Sequence, residues 1–421
     1  MALSNGYHLR LADVFLDQAM AAFPAFMITG PRACGKTTTA SRHAASVIRL
    51  DNPLERGAFE LSPDEVLGSY PTPVLVDEWQ VAPEALGAVK RAVDSRRGEP
   101  GRFLVTGSVK SRLSAPGWPL TGRAVSVPML GLTRAEIEGR PDAGALWLKG
   151  VFGEAAPQAG RLASAPGLLE CVDFALQGGF PEAFGLPASL RRHWHSAYVS
   201  HLTERDVAEI AEVRSPAAFR KLLEAVSLNT AGLPTTSTLL QAASLDDRTA
   251  RRYLNLLQDL RVAEALPAWS DNRLARLVKT PKRYLLDSGL AAHLNHWEAK
   301  GLLKDGGAIG RLIDTFVLSQ IRPLLPFSDE PVTACHLRDA NGDHEVDLIL
   351  EAGSGQIVGV EIKTAKSASK RDARHLEWLR DKLGDRFHRG IVLHTGDLTH
   401  RMAERVWALP IASLWRPEMW S

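Results

Sequence analysis

Two runs of residues in this chain have the types and spacing for phosphate chemistry. Gly30-Pro31-Arg32-Ala33-Cys34-Gly35-Lys36-Thr37 fits G-x-x-x-x-G-K-[ST] at every fixed position. Val74-Leu75-Val76-Asp77-Glu78 delivers two adjacent carboxylates after an apolar run. Gly30 and Gly35 let the backbone turn so that successive N–H groups face phosphate oxygens, with Pro31, Arg32, Ala33 and Cys34 supplying backbone. A helix starting near Lys36 adds the positive end of its dipole. Lys36 is expected to reach the β and γ phosphates and Thr37 to ligate magnesium, with Thr38 completing the nucleotide site. Phosphoryl transfer to water needs a carboxylate near the metal and a group to orient or deprotonate the water. Asp77 is assigned the first role and Glu78 the second. The implied ligands are ATP and magnesium.

These groups need strands behind them. Ala25 to Thr29 is a short apolar run leading into the glycines, Ser46 to Leu50 reads as a second strand, and Pro73 to Glu78 as a buried third. Arg102 to Thr106 reads as a fourth strand, ending in Gly107-Ser108; either Ser108 or Thr106 could sense the γ phosphate there. Arg123, before a fifth strand at Ala124 to Val127, is the best candidate for a charge-stabilising arginine. Residues 1–24 show helical periodicity but no group that reads as chemical.

With 421 residues, 45% hydrophobic and 23% charged, the chain has the composition of a globular protein of two or three domains. No apolar run approaches the roughly 18 residues needed to span a bilayer. The polar N-terminus does not read as a secretory signal, and three scattered cysteines give neither a disulfide framework nor a zinc spacing, so the cytoplasm is the expected compartment. A net charge of +2 excludes nothing about partners.

Residues 141–168 are rich in Ala, Gly and Pro and read as a connecting segment. From Pro216 to Trp269 the pattern is helix, turn, short helix, turn, helix and a small apolar hairpin, which resembles a winged helix-turn-helix. Arg248, Arg251 and Arg252 start its last helix, where such modules meet DNA. Further on, strand alternation puts Glu345 and Asp347 on one face with Val346 and Leu348 on the other, and sets Glu361 beside Lys363. A turn at Gly353-Ser354-Gly355 favours pairing of these two strands as a hairpin.

Taken together, P-R-x-x-G-K-T-T, V-L-V-D-E, L-V-T-G-S, L-T-G-R-A and Gly178-Gly179-Phe180-Pro181-Glu182 resemble the prokaryotic AAA-type ATPases whose C-terminal domain has long been of unknown function. The chain departs from that pattern at Ala33 and Cys34, where the family more often has Gln and Val. Asp347 followed by Glu361-Ile362-Lys363 resembles the PD-(D/E)XK nuclease core. That resemblance implies a second metal site at Asp347 and Glu361, with Asp314, Glu345 and Lys363 beside it and the lysine positioning water. The expected fold class is therefore α/β: a parallel-sheet P-loop AAA-type ATPase core (1–140), a linker and helical segment (141–214), a helical winged-helix middle (215–275) and a nuclease-like α/β domain (276–421). The expected function is magnesium-dependent ATP hydrolysis coupled to DNA binding or processing. The alternative is a nucleotide-controlled switch whose inactive nuclease-like domain only binds DNA or a protein. A homo-oligomer is compatible with either; no membrane partner is expected.

Overall fold

The computed structural model describes residues 6–107, 120–207, 213, 215–272, 276, 279–339 and 342–420. The candidate Ser108 lies outside them. Strands β1 (Ala25–Thr29), β2 (Ser46–Arg49), β3 (Val74–Asp77), β4 (Phe103–Gly107) and β5 (Ala124–Pro128) form a parallel sheet in the order β2-β3-β4-β1-β5. The loop strand β1 and the acidic strand β3 are thus separated by β4. Every residue of these three central strands is buried, as continuous apolar runs in a covered parallel sheet require. Helix α1 (Leu11–Ala19) packs with β1 and β4 through Leu16, and α2 (Lys36–Arg42) leaves the phosphate loop.

Beyond the core come α3 (Ala143–Phe152), α4 (Leu168–Gln177) and α5 (Ala188–Ser200). Three helices then follow, α6 (Pro216–Leu228), α7 (Thr236–Ala243) and α8 (Asp247–Asp259), each started by a side-chain cap from Ser215, Thr235 or Asp246. They bury Phe219, Leu239, Tyr253 and Leu257 in one cluster. The antiparallel pair β7 (Ala263–Leu266) and β8 (Lys282–Leu285) completes this middle unit, and α9 (Ser288–Leu294) leads out of it.

The C-terminal part is a second sheet. After α10 (Gly306–Ile321), strands β9 (Val332–Arg338), β10 (Glu345–Ala352) and β11 (Ile357–Ile362) form an antiparallel meander. Helix α11 (Lys370–Leu383) then carries the chain to β12 (Phe387–His394), parallel to β11, and β13 (Leu398–Ala403) and β14 (Val406–Pro410) extend the sheet. Among the described residues, no helix is long and apolar enough to cross a membrane.

Two expectations fail here for physical reasons. Residues 141–168 are not a bare connection: Trp147 and Val151 of α3 sit in the same apolar cluster as Leu350, Ile391 and Leu409 of the C-terminal strands. Two residues of the segment, Gly160 and Arg161, form the short strand β6 at the edge of that sheet, paired with β13. Its small residues serve close packing, since a Cβ on Gly150 would fall 2.4 Å from the Trp420 ring. The strict alternation expected along β10 is broken as well. A bulge between Val346 and Ile349 sends Val346 into the cluster beside Leu376 and Leu379, and Leu348 into the one beside Leu312 and Phe316.

The Gly178-Gly179 pair ties the segment after β5 to the start of α9. Gly178 holds φ +68°, and a Cβ on Gly179 would lie 2.5 Å from the Leu132 carbonyl oxygen. The Gly179 carbonyl accepts from Leu132 N at 2.6 Å, while its N–H donates to Asp287 Oδ2 at 2.7 Å. Asp287 is buried and also caps α9 through Leu290 N at 2.7 Å. Removing this carboxylate strands two buried donors. Asp287→Ala is expected to cost about 2–4 kcal/mol, the sum of a lost cap and an unsatisfied buried N–H. A thermal-unfolding midpoint equal to that of the parent protein would refute this.

Candidate functional site

The phosphate loop has the shape its sequence calls for. Gly35 caps α2 at φ +94°, and Ala33 also stands at positive φ. Gly30 has no room for a side chain, because a Cβ there would meet the Met129 carbonyl oxygen at 2.2 Å. Cys34 is fully buried below the loop, whereas Thr38 is exposed on the first turn of α2. Lys36 is buried, and its Nζ donates to the Pro31 carbonyl oxygen at 2.7 Å, so the ammonium folds back on the loop's own backbone.

At the carboxyl edge of the sheet, three elements converge on one carboxylate. Thr37 Oγ1 of α2 donates to Asp77 Oδ1 at 2.9 Å, and Thr106 Oγ1 of β4 donates to the same oxygen. Asp77 is only 6% exposed. A hydroxyl and a carboxylate side by side form a hard-oxygen set that fits magnesium. The next residue, Glu78, has φ +55° and ψ +45°, a left-handed conformation uncommon for a residue with a side chain, which turns it out of the strand. Its Oε2 accepts from Gln80 Nε2. Of the two residues considered as γ-phosphate sensors, Thr106 is thus joined to the site.

Arg123 is not. It precedes β5, whose first residue lies level with Ala25 at the start of β1, and it pairs with Asp94 at 3.2 Å. In a parallel sheet, the residue entering a strand and the loop leaving its neighbour stand at opposite edges. A strand of this length separates them by roughly 16 Å at about 3.3 Å per residue. Arg123 therefore does not join Lys36 and Asp77 within one chain.

A different arginine supports the loop, in a segment that looked chemically empty. Arg10 is 4% exposed and donates to the Cys34 carbonyl at 2.9 Å, to the Leu130 carbonyl at 2.8 Å and to the Gly131 carbonyl at 3.2 Å. Its Nε lies 3.1 Å from buried Glu136, which itself accepts from Leu11 N. Nearby, Tyr7 bridges Asp13 and Thr39 at 2.7 and 2.8 Å. Sequence spacing gives no signal for this, since the partners lie 24 and more than 100 residues away.

Residues 22–138 match the AAA domain family. Residues 170–301 match a domain of unknown function, DUF8612, and residues 309–414 another, DUF4143. An uncharacterized protein of Mycobacterium tuberculosis and one of Mycobacterium bovis are each 28% identical over 367 residues, covering 86% of this chain and 75% of the relative. A Walker-type ATPase of Pyrococcus abyssi superposes with a TM-score of 0.39 at 15% identity, over 68% of this chain and 94% of that one.

Outside the AAA-like core, the structure gathers most of the acids singled out in the C-terminal part, together with two groups the sequence did not suggest. Lys282 Nζ of β8 donates to Asp314 Oδ2 at 2.7 Å and to Asp347 Oδ1 at 3.1 Å. Tyr284, two residues on and hence on the same face of β8, donates to Asp314 Oδ1 at 2.9 Å. Asp347 Oδ2 accepts from Ile362 N at 3.0 Å, and Glu361 Oε2 from Lys363 Nζ at 2.9 Å. Burial pushes Asp314 up to about 6, and burial followed by the Asp347 charge pushes Glu361 up to about 8. Burial opposes charge on Lys282 too, but Asp314 and Asp347 outweigh it and hold the ammonium protonated. Glu345, half-buried at the start of β10, is level with Arg338 of β9.

Arg248, Arg251 and Arg252 are exposed on the first half of α8. Arg251 pairs with Asp247 at 2.7 Å, and Arg252 lies 5.5 Å from the Tyr253 ring centroid.

The brace under the loop yields a stability test. Arg10→Met leaves buried Glu136 without its counter-ion and three carbonyls without their donor, a change expected to cost about 3–5 kcal/mol. Arg10→Lys, which keeps the charge but not the fork, is expected to fall between the two. Urea midpoints measure both, and a midpoint for Arg10→Met within error of the parent would contradict the assignment.

Proposed function

We propose that this protein hydrolyses ATP with magnesium and passes the change of nucleotide state to the middle and C-terminal units. The observation that carries the proposal is the meeting of Thr37, Asp77 and Thr106, with Lys36 folded on the adjoining loop, at the carboxyl edge of a sheet with β4 inserted between the loop strand and the acidic strand. Thr37 and Asp77 would hold magnesium, which neutralises charge on the phosphates. Lys36 leaves the Pro31 carbonyl and turns to the phosphate oxygens. Glu78 orients or deprotonates the water that attacks in line. Thr106, bonded to Asp77, reports the γ phosphate to β4.

A cavity of about 360 Å³ beside the loop supports a nucleotide rather than a bare polyphosphate. Arg32 and Ala33 form one wall, and Trp194 and Tyr198 of α5, stacked at 5.4 Å between centroids, form another. A base inserted there would stack on an aromatic face. Three unpaired, buried cysteines support a reducing compartment such as the cytoplasm.

The coupled output is, on this reading, DNA binding. The order of three capped helices and a two-stranded sheet supports a winged helix-turn-helix, and the exposed arginines of α8 supply phosphate contacts. The same elements suit the switch reading, in which the C-terminal domain binds without cutting. The order of α10, β9, β10, β11, α11 and β12 supports a nuclease-like fold for that domain.

Two measurements test this. Lys36→Ala is expected to abolish phosphate release from ATP, and Glu78→Gln to lower it by about 10²-fold or more while ATP still binds; parent-like turnover in Lys36→Ala would remove the central claim. Changing Arg248, Arg251 and Arg252 together to Ala should weaken duplex DNA binding and flatten its salt dependence by up to about three contacts' worth of slope. Identical salt titrations for the two proteins would dismiss α8 as the contact surface.

A further inference from the structure

The acids of β10, β11 and α10 are the kind that would bind a divalent cation, but their arrangement does not fit one. Both oxygens of Asp314 are taken, one by Lys282 Nζ and one by the Tyr284 hydroxyl. Both oxygens of Asp347 are taken as well, by Lys282 Nζ and by the Ile362 amide. One oxygen of Glu361, Oε2, accepts from Lys363. The point between the two aspartates is filled by an ammonium group only 3% exposed. A metal ion needs carboxylate oxygens at about 2.0–2.6 Å and would stand against that buried positive charge. Among the described residues, no set of three His, Cys, Asp or Glu side chains is placed to hold a metal ion.

The origin of the lysine gives the arrangement its meaning. Lys282 lies past residue 275, where the middle unit was expected to end, yet its strand β8 pairs with β7 of that unit, whereas Asp314 and Asp347 belong to the C-terminal domain. Arg283, between the two inward-facing residues of β8, points its backbone the other way and donates its N–H to the Gly232 carbonyl at 2.9 Å, tying the strand to the helical part of the middle unit. One strand is thus fastened on both sides, to the helices through its backbone and to the C-terminal acids through its side chains.

We infer that the acid cluster is sealed by Lys282: the ammonium takes the position that a divalent cation bridging Asp314 and Asp347 would occupy and neutralises the acid that Glu361 would share with a metal, making the cluster a joint between the middle unit and the C-terminal sheet and leaving that domain to bind rather than cleave. This inference sharpens the switch reading and does not depend on ATP hydrolysis, so loss of turnover in Lys36→Ala and the metal experiment below fail or succeed separately.

The test is Mn²⁺ binding by calorimetry to the full-length protein without nucleotide, in an Asp77→Asn background so that the phosphate site contributes nothing. That background protein is expected to show no Mn²⁺ uptake that depends on Asp347. Adding Lys282→Met should create one site per chain, and adding Asp347→Asn to that should remove it. Linear duplex and single-stranded DNA incubated with Mn²⁺ should remain uncut by the parent. A stoichiometric site in the Asp77→Asn protein that vanishes with Asp347→Asn overturns the inference, as does Asp347-dependent cleavage by the parent. A folded Lys282→Met protein that still takes up no Mn²⁺ also overturns it. Where Lys282→Met does not fold, the comparison with and without Asp347→Asn decides the question without any lysine variant.

Discussion

The buried Arg10 guanidinium is the interaction on which the shape of the phosphate loop depends. A phosphate loop must keep its backbone N–H groups pointed inward without a ligand to hold them, and it has few side chains with which to do so. Arg10 meets this need from below, taking the Cys34 carbonyl on the loop and the Leu130 and Gly131 carbonyls on the exit of β5, with Glu136 as counter-ion. The loop, the last strand of the sheet and the segment that follows are thereby fixed to one planar cation. The geometry at Asp77 can be precise because the loop that presents Thr37 is held in place from beneath.

Much of the AAA-like core was legible in the sequence because its determinants are local. Gly30 and Gly35 mark positions where backbone conformation or crowding forbids a side chain, and Val74 to Asp77 reads as a buried strand because it is one. What was not legible depends on which edge of the sheet a residue reaches, or on partners distant along the chain. Arg123 is next to a strand, and only the parallel register shows that it stands at the edge away from the loop. Arg10 sits in a short amphipathic stretch whose burial is decided by residues more than 100 positions later, Leu130, Gly131 and Glu136.

The C-terminal part shows the same division. The strands carrying Asp347 and Glu361 and their antiparallel pairing follow from alternation and a glycine turn. The bulge beside Asp347 does not follow, because it arises where β9 and β10 must keep two separate apolar clusters filled. Nor does Lys282, a residue in a stretch that looked like a simple lead-in to the last domain. The composition of residues 141–168 was misleading for a related reason: Ala and Gly permit flexible connections, yet here they allow α3 to approach Leu324 and Trp420 closely.

That crossing of α3 and β6 into the distant sheet changes how the molecule can be divided. The chain leaves the AAA-like core, contributes a helix and an edge strand to the C-terminal sheet, returns to build the middle unit, and only then completes the sheet. A fragment beginning after the middle unit would open the apolar cluster that Leu350, Ile391 and Leu409 share with Trp147 and Val151. The last domain is therefore a unit in space but not in sequence. An exchange of modules that kept this sheet intact would have to carry residues 141–161 along with the C-terminal half.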